Sequence, residues 1–217
     1  MQISVYKSEY KVSYYIFGRH SYISGMNIGI IGLGDMGRLY AKAFAKAGYH
    51  VYGCDLPVNR ERLEHELTPL GITIKDNGWE VAAISDLIIY SVEADSMERV
   101  VAEFSGATRP GAIVAGQTSV KSPEIAVFEK YLPREAHIIT FHAMHGPGFE
   151  PTGQKLILIP HRSTPEAYQR MYDLFSAVGS DIVEMPDYHE HDKIVGDTQA
   201  VTHVGFESMG TAWKSAG

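Results

Sequence analysis

Cysteine is nearly absent from this chain. Cys54 is the only one in 217 residues, which excludes an intrachain disulfide framework and a cysteine-rich metal site. Positive charge is also scarce: 19 Lys and Arg stand against 26 Asp and Glu, for a formal net charge of −7. Phosphate backbones are gripped by clustered Lys and Arg, and no such cluster occurs, so a nucleic-acid partner is excluded. No apolar run approaches the roughly 20 residues of a membrane-spanning helix. Repeats, low-complexity tracts and Pro/Ser-rich linkers are missing too. What remains, 45% hydrophobic and 21% charged, is the composition of a soluble globular protein in a reducing, cytoplasmic setting.

The first 25 residues read apart from the rest. They carry Tyr6, Tyr10, Tyr14, Tyr15 and Tyr22 and lack the apolar core of a signal peptide; Lys7, Lys11 and Arg19 give them some positive charge, but a single arginine falls short of an Arg-rich mitochondrial leader. They are expected to form an N-terminal extension, with Met26 an alternative start immediately before the first strand.

From Asn27 onward, short β-type runs alternate with amphipathic stretches, the pattern of a parallel sheet covered by helices. Strands are predicted over 27–31, 50–54, 72–74, 87–92, 112–115, 136–141, 155–159 and 181–185. A helix should start near Asp35, because Met36, Leu39, Tyr40, Ala43, Phe44 and Ala47 repeat at helical spacing and Gly48 closes the run. Another should follow Thr164, with Pro165 in its first turn and Gly179 at its end. Residues 187–217 read as one long helix, on which Asp192, Gln199 and His203 would share a face.

Between the first strand and first helix lies Gly32-Leu33-Gly34-Asp35-Met36-Gly37, a G-x-G-x-x-G turn in its required context. Gly32 allows the tight turn, Gly34 lets a pyrophosphate approach the backbone, and Gly37 lets helix and sheet pack closely. The N–H groups of the helix start then face the anion. Asp35 itself adds no attraction for phosphate and reads as a helix-start residue. Asp55 ends the second strand, where a carboxylate holds the adenosine ribose hydroxyls, which leans toward NAD. Asn59, Arg60 and Arg62 follow closely and could counter a 2′-phosphate, so the residues alone leave NAD and NADP open. The fold expected is α/β: a Rossmann-type doubly wound, mostly parallel sheet over 26–186. It is followed over 187–217 by the first long helix of an incomplete helical domain.

Two further segments fall after predicted strands, where such sheets place ligands: Gly116-Gln117-Thr118-Ser119-Val120-Lys121 and His142-Ala143-Met144-His145-Gly146-Pro147-Gly148. Either could also be ordinary turn chemistry. His142 and His145 are spaced like a metal pair, yet no cysteine or nearby carboxylate completes a set, and no metal is expected. A neutral histidine accepting a proton suits cofactor-dependent oxidation better, since its pKa lies near working pH.

Taken together, Gly29-Ile30-Ile31-Gly32-Leu33-Gly34-Asp35-Met36-Gly37, Ile89-Tyr90-Ser91-Val92-Glu93-Ala94, Gly116-Gln117-Thr118-Ser119-Val120-Lys121, Phe128-Glu129-Lys130-Tyr131-Leu132-Pro133, His145-Gly146-Pro147, Glu190-His191-Asp192-Lys193 and Asp197-Thr198-Gln199-Ala200-Val201-Thr202-His203 carry a family resemblance. From about Asn27 to its end the chain resembles the fungal type of NADP-dependent prephenate dehydrogenase. The resemblance implies oxidative decarboxylation of prephenate to 4-hydroxyphenylpyruvate in tyrosine biosynthesis, with NADP reduced despite the aspartate after the second strand. It implies that His142 accepts the proton of the substrate 4-hydroxyl, that Ser119 orients that hydroxyl and the nicotinamide, and that His203 is a substrate-side histidine. Gly32, Leu33, Gly34, Asp35, Met36, Gly37, Asp55 and Ser91 form the expected cofactor set, with Gln199 and Lys121 toward substrate. Two positions depart from the wider family: Ala200 replaces a second histidine, and Ala143 replaces the proline after the catalytic histidine.

The same resemblance implies a following helical domain that pairs subunits into a homodimer and supplies an arginine for a substrate carboxylate. Here only Lys121, Lys155 and Arg162 are candidates for that charge, so these 217 residues alone are expected to bind cofactor without turning over prephenate. Two rival readings stand beside this one. A β-hydroxyacid dehydrogenase shares the glycine turn but would use a lysine on the helical domain, and a non-catalytic nucleotide-binding module would need no catalytic histidine.

Overall fold

Parallel strands cannot be joined by a tight turn, so most apolar runs here are followed by a helix that carries the chain back across the sheet. The computed structural model describes residues 25–215, and the side chains of these apart from residues 199, 200, 203, 210, 212 and 215. The expected N-terminal extension therefore lies outside the described residues up to residue 24.

β1 (Asn27–Ile31) leads into α1 (Asp35–Lys46), β2 (His50–Cys54) into α2 (Arg60–Leu67), and β3 (Ile72–Ile74) into α3 (Gly78–Ile84). β4 (Leu87–Tyr90) leads into α4 (Ala94–Phe104) and β5 (Ile113–Gly116) into α5 (Lys121–Tyr131). β6 (His137–Ala143) returns directly as β7 (Lys155–Arg162), and α6 (Pro165–Ala177) precedes β8 (Asp181–Glu184). The strands form one sheet in the order β3-β2-β1-β4-β5-β6-β7-β8. Neighbours are parallel except β6 and β7, which run antiparallel, so the expected doubly wound, mostly parallel sheet is what forms.

Alternate residues of the central strands serve opposite faces. Ile28, Ile30, Leu87, Ile89, Ile139 and Phe141 join the core beneath α1, α2 and α6. Ile31, Ile88, Tyr90, Val114 and Ile138 join the one beneath α3, α4 and α5. With helices on both sides, such strands are apolar at nearly every position, and β4 and β5 are buried throughout. Strand order reverses between β1 and β4, which opens a crevice at their carboxyl ends.

Thr164 caps α6 as expected, accepting a hydrogen bond from the Ala167 N–H at 3.2 Å, and Gly179 closes the turn behind it with a φ of 81°. Elsewhere the elements differ from the local pattern. β6 runs on to Ala143, so His142 is a strand residue opposite Ile157 rather than a loop residue. Pairing with β7 causes the extension. β7 in turn continues through Pro160 to Arg162, and the register shifts between Ile138 and Ile139, opposite the proline that cannot donate to the ladder.

The expected long terminal helix is three segments. α7 (Tyr188–Val195) and α8 (Val201–Ser215) are joined by a π-helical turn over Gly196–Ala200. A π turn widens the helix and shifts its 3.6-residue phase between Asp192 and the residues beyond it, the run on which a shared face of Asp192, Gln199 and His203 was expected. The side chains of Gln199 and His203 lie outside the described residues. Val195 is buried against the domain, whereas Val201, Val204, Phe206, Met209 and Trp213 on α8 are exposed.

Phe175 of α6 centres an aromatic cluster, with ring centroids 4.6 Å from Phe141, 6.0 Å from Tyr40 and 6.0 Å from Phe44. These rings tie α1 and α6 to β6. Phe175→Ala is expected to cost about 3–5 kcal/mol, since neighbours in two helices and a strand cannot all relax into the void. Urea unfolding followed by circular dichroism measures it, and a loss below 1 kcal/mol would show that this face repacks freely.

Candidate functional site

The three glycines of the turn have separate physical roles. Gly32 takes a φ of 99°, and a Cβ there would strike the carbonyl of Ser91. A Cβ on Gly37 would strike the Gly32 carbonyl, so that position sets how closely α1 approaches β1. Gly34 differs, because a Cβ there meets nothing within 4 Å and would project into open space. Gly34 is also the N-cap of α1 and supplies no side-chain cap, so N–H groups of the first helical turn remain for an anion. These features fit a dinucleotide pyrophosphate.

The remaining turn residues position that cradle. Leu33 is fully buried, and its backbone N–H donates to Asp55 Oδ2 at 2.6 Å. Asp55 Oδ1 accepts from Leu56 N at 2.8 Å and Asn59 Nδ2 at 2.7 Å, which fixes the carboxylate at the end of β2. Met36 packs against the core while lining the crevice. Asp35 pairs with Arg38 at 2.6 Å, consistent with a helix-start role.

Two cavities flank the turn. One, of about 410 Å³, is lined by Gly32, Gly34, Asp55, Leu56, Asp76 and Asn77, among others. The other, of about 790 Å³, is lined by Gly34, Met36, Gln117, Ser119, Glu124 and Pro147, among others. Gly34 and Ser91–Glu93 border both. Asp55 marks the first as the adenosine side, and the second lies beyond the pyrophosphate position. Ser91 and Ser119 thus fall on the crevice as expected. Arg60 is paired with Glu64 at 2.8 Å and with Asp76, and Arg62 lies 3.6 Å from Glu66.

At the carboxyl end of β6 a second arrangement appears. His142, only 5% exposed, bonds through Nδ1 to His191 Nε2 at 3.0 Å. The fully buried His191 bonds through Nδ1 to Asp192 Oδ1 at 2.9 Å. Asp192 also accepts from the backbone N–H groups of Lys121 and Ser122, both at 2.7 Å, and from Ser122 Oγ at 2.5 Å. This chain of bonds assigns the tautomers. Asp192 accepts only, so His191 carries its proton on Nδ1 and receives on Nε2; His142 then donates from Nδ1 and keeps a lone pair on Nε2. That Nε2 has no hydrogen-bond partner among the described residues.

The charges follow the same logic. Burial lowers the His142 pKa to about 4, helped by the charge of Lys121 and by His191 and opposed by Asp192. Burial alone would raise Asp192, but hydrogen bonds from Ser122, Lys121 and His191 outweigh it and bring the carboxylate to about 2. A neutral imidazole with a free Nε2 lone pair can accept a proton, and the ionised carboxylate behind it favours the charged form that results.

Several sequence expectations change here. Lys121 is not a substrate ligand: it is fully buried, with Nζ 3.0 Å from Thr140 Oγ1, 3.2 Å from Glu124 Oε1 and 3.3 Å from the Gly116 carbonyl. Burial pushes its pKa down while Glu124 pulls it up. Lys155 and Arg162 are occupied as well, by Asp181 at 2.7 Å and Glu129 at 2.9 Å. His142 and His145 have separate partners, since His145 Nε2 meets the Tyr40 hydroxyl at 3.2 Å. His142 lines neither cavity; it stands in its own buried cluster behind α5. Local reasoning missed the roles of His191, Asp192 and Glu124. Glu124 accepts from Thr118 N and Oγ1, at 3.0 and 2.6 Å, and so holds the loop that carries Ser119. Only the run Glu190-His191-Asp192-Lys193 carried any signal, and nothing in it revealed a partner 49 residues earlier.

A glycine cradle, a tethered carboxylate after β2 and two cavities across the strand-order reversal define a dinucleotide-binding protein. A family model described as the NAD binding domain of 6-phosphogluconate dehydrogenase matches residues 27–186. The chain belongs to that family. It is also 47% identical over 188 residues to a protein of Schizosaccharomyces pombe named probable prephenate dehydrogenase [NADP(+)], covering 87% of this chain and 43% of that one. A Saccharomyces cerevisiae protein named prephenate dehydrogenase [NADP(+)] is 47% identical over 187 residues, covering 86% and 41% respectively. The resemblance drawn from the motifs is therefore present along most of the chain, which spans about two-fifths of the length of these curated relatives. Among solved structures, prephenate dehydrogenase from Aquifex aeolicus with hydroxyphenyl propionate and NAD+ matches with a TM-score of 0.71 at 20% identity, covering 87% of this chain and 69% of that one. At that identity the likeness concerns the fold.

The histidine relay makes stability pH-dependent. An imidazole with a folded pKa near 4 and an unfolded value near 6.5 binds fewer protons when folded, so acidification from 6.5 through 4 destabilises the protein. Asp192, lowered to about 2 from 3.8, contributes stability that is lost only as pH falls through the lower window. His142→Gln is expected to flatten the decline between pH 6.5 and 4 and leave the lower one in place. Urea midpoints across a pH series test this, and an unchanged slope in the variant would place the titrating group elsewhere.

Proposed function

We propose that this protein acts as an NADP-dependent prephenate dehydrogenase, an oxidoreductase of tyrosine biosynthesis that converts prephenate to 4-hydroxyphenylpyruvate. The observation that carries the reading is His142, a buried neutral imidazole whose free Nε2 is backed through His191 by an ionised Asp192. Oxidation of a secondary alcohol needs a group that takes the hydroxyl proton as hydride departs, and such a relay provides it. The two 47% relatives carry the substrate and cofactor in their names. A nucleotide-binding module without catalysis would gain nothing from that relay.

NADP, when bound, supplies the hydride acceptor. Every other task falls to the chain. The first turn of α1 receives the pyrophosphate at Gly34, and Asp55 orients the adenosine end through its bond to Leu33 N. NADP is compatible with Asp55 because that carboxylate is already engaged by three donors. Arg60 and Arg62, held in partly exposed ion pairs of small worth, are available to turn toward a 2′-phosphate. Ser119 orients the hydroxyl that His142 deprotonates, and Asp192 stabilises the resulting imidazolium through His191. His203 and Gln199 complete the substrate side.

The same reading places residues 26–186 as the dinucleotide-binding domain and 187–217 as the start of a helical substrate and dimerisation domain. The exposed apolar side chains of α8 support a homodimer formed through that domain. The lone cysteine, a free buried thiol, accords with the cytoplasm.

Two measurements test the proposal. Gly34→Val adds its side chain to open space, so thermal stability should stay close to wild type while calorimetric binding of NADP+ disappears. Retained affinity would remove the glycine turn from the cofactor site. In the full-length enzyme, His142→Asn should lower kcat by about a hundredfold or more. The wild-type profile should lose activity as acid protonates the imidazole, below the ordinary histidine range, and the variant should lack that limb. Near-normal prephenate turnover by the variant would reassign His142 to structure.

A further inference from the structure

Gln117 follows β5 at the carboxyl edge of the sheet, and its backbone N–H donates to the Tyr90 carbonyl at 3.3 Å, which extends the β4–β5 ladder by one residue. Both its side-chain atoms, Nε2 and Oε1, are buried without a hydrogen-bond partner among the described residues. Buried amides are almost always satisfied, so an orphaned donor and acceptor on one side chain calls for a ligand that supplies the complement. Tyr90, Thr108 and Ser180 also carry a buried unpartnered oxygen, but none of them lines either cavity and none offers a donor–acceptor pair. Gln117 lines the 790 Å³ cavity.

The position of that cavity determines what reaches it. Asp55 fixes the adenosine end in the smaller cavity, and Gly34 with Ser91–Glu93 forms the seam where the pyrophosphate lies. The far side therefore receives the nicotinamide half. Its ring carries a carboxamide, a planar group with one carbonyl acceptor and one NH2 donor. A primary amide facing a primary amide can form two N–H···O bonds in register.

We propose that Gln117 binds the nicotinamide carboxamide through this paired amide contact and thereby fixes the orientation of the ring in the larger cavity. The inference rests on the dinucleotide reading of the crevice. Gln117 acts on the cofactor alone and takes no part in proton transfer. The buried Glu124, which holds Thr118 beside it, keeps the Gln117 loop rigid and the amide in place.

Titration calorimetry on wild type, Gln117→Met and Gln117→Glu separates the possibilities, with three probes. NADP+ carries the full carboxamide, the 3-acetylpyridine analogue of NADP+ keeps the carbonyl but lacks the NH2, and adenosine 2′,5′-bisphosphate has no nicotinamide. Wild type should bind NADP+ more tightly than the acetylpyridine analogue. Gln117→Met should lose about tenfold or more in NADP+ affinity, a change of about 1.4 kcal/mol, and should no longer distinguish the two dinucleotides. Gln117→Glu, which keeps shape and acceptors but not the donor, should also weaken NADP+. Both variants should bind the bisphosphate within about twofold of wild type. Unchanged NADP+ affinity in both variants, or an equal loss of NADP+ and bisphosphate, overturns the assignment. Wild-type protein that binds neither overturns the dinucleotide reading itself, and the assignment with it.

Discussion

The carboxylate of Asp192 is the constraint on which the histidine cluster at the carboxyl end of β6 depends. It receives two backbone N–H groups at the start of α5, the Ser122 hydroxyl and the His191 ring. One residue thus caps a helix of the sheet domain, anchors the first segment of the helical tail and sets a tautomer two rings away. The helix N-terminus and the carboxylate stabilise each other, which outweighs the upward push of burial on the Asp192 pKa. Its reach extends to His142, whose free lone pair follows from the direction of these bonds.

A buried ion pair supports the same region from within the sheet. Lys121, Glu124 and Thr140 are all enclosed, and Glu124 bonds Thr118 and the Thr140 hydroxyl as well as the lysine. Enclosed charges are costly unless every partner is present, and here the partners come from β5, α5 and β6. The cluster therefore registers three elements against one another just below the crevice. Its positive member also discourages protonation of His142, so structural and chemical roles coincide in one side chain.

The cofactor side works by absence of atoms. Gly32 and Gly37 exclude side chains so that α1 can sit close to β1, while Gly34 leaves space that the fold itself does not use. Asp55 then ties the turn to the end of β2 through Leu33 N. Backbone geometry carries most of this site, which is why six contiguous residues locate it.

The sequence by itself determined the alternation of strands and helices, the bounds of β1, β2 and β3, the start of α1, the Thr164 cap and the glycine turn with Asp55. These depend on side-chain periodicity and on turn chemistry between near neighbours, so a short window contains the cause. Tertiary structure alone decided the rest. β6 reached His142 only because β7 paired beside it, the tail changed phase at its π turn, and Lys121 left the substrate side for a buried carboxylate. The histidine hydrogen bond joins residues 49 positions apart, and Asp192 caps a helix that begins 71 residues before it. No local pattern records such a distance, because the pairing exists only once the sheet has brought β6, α5 and α7 to one edge.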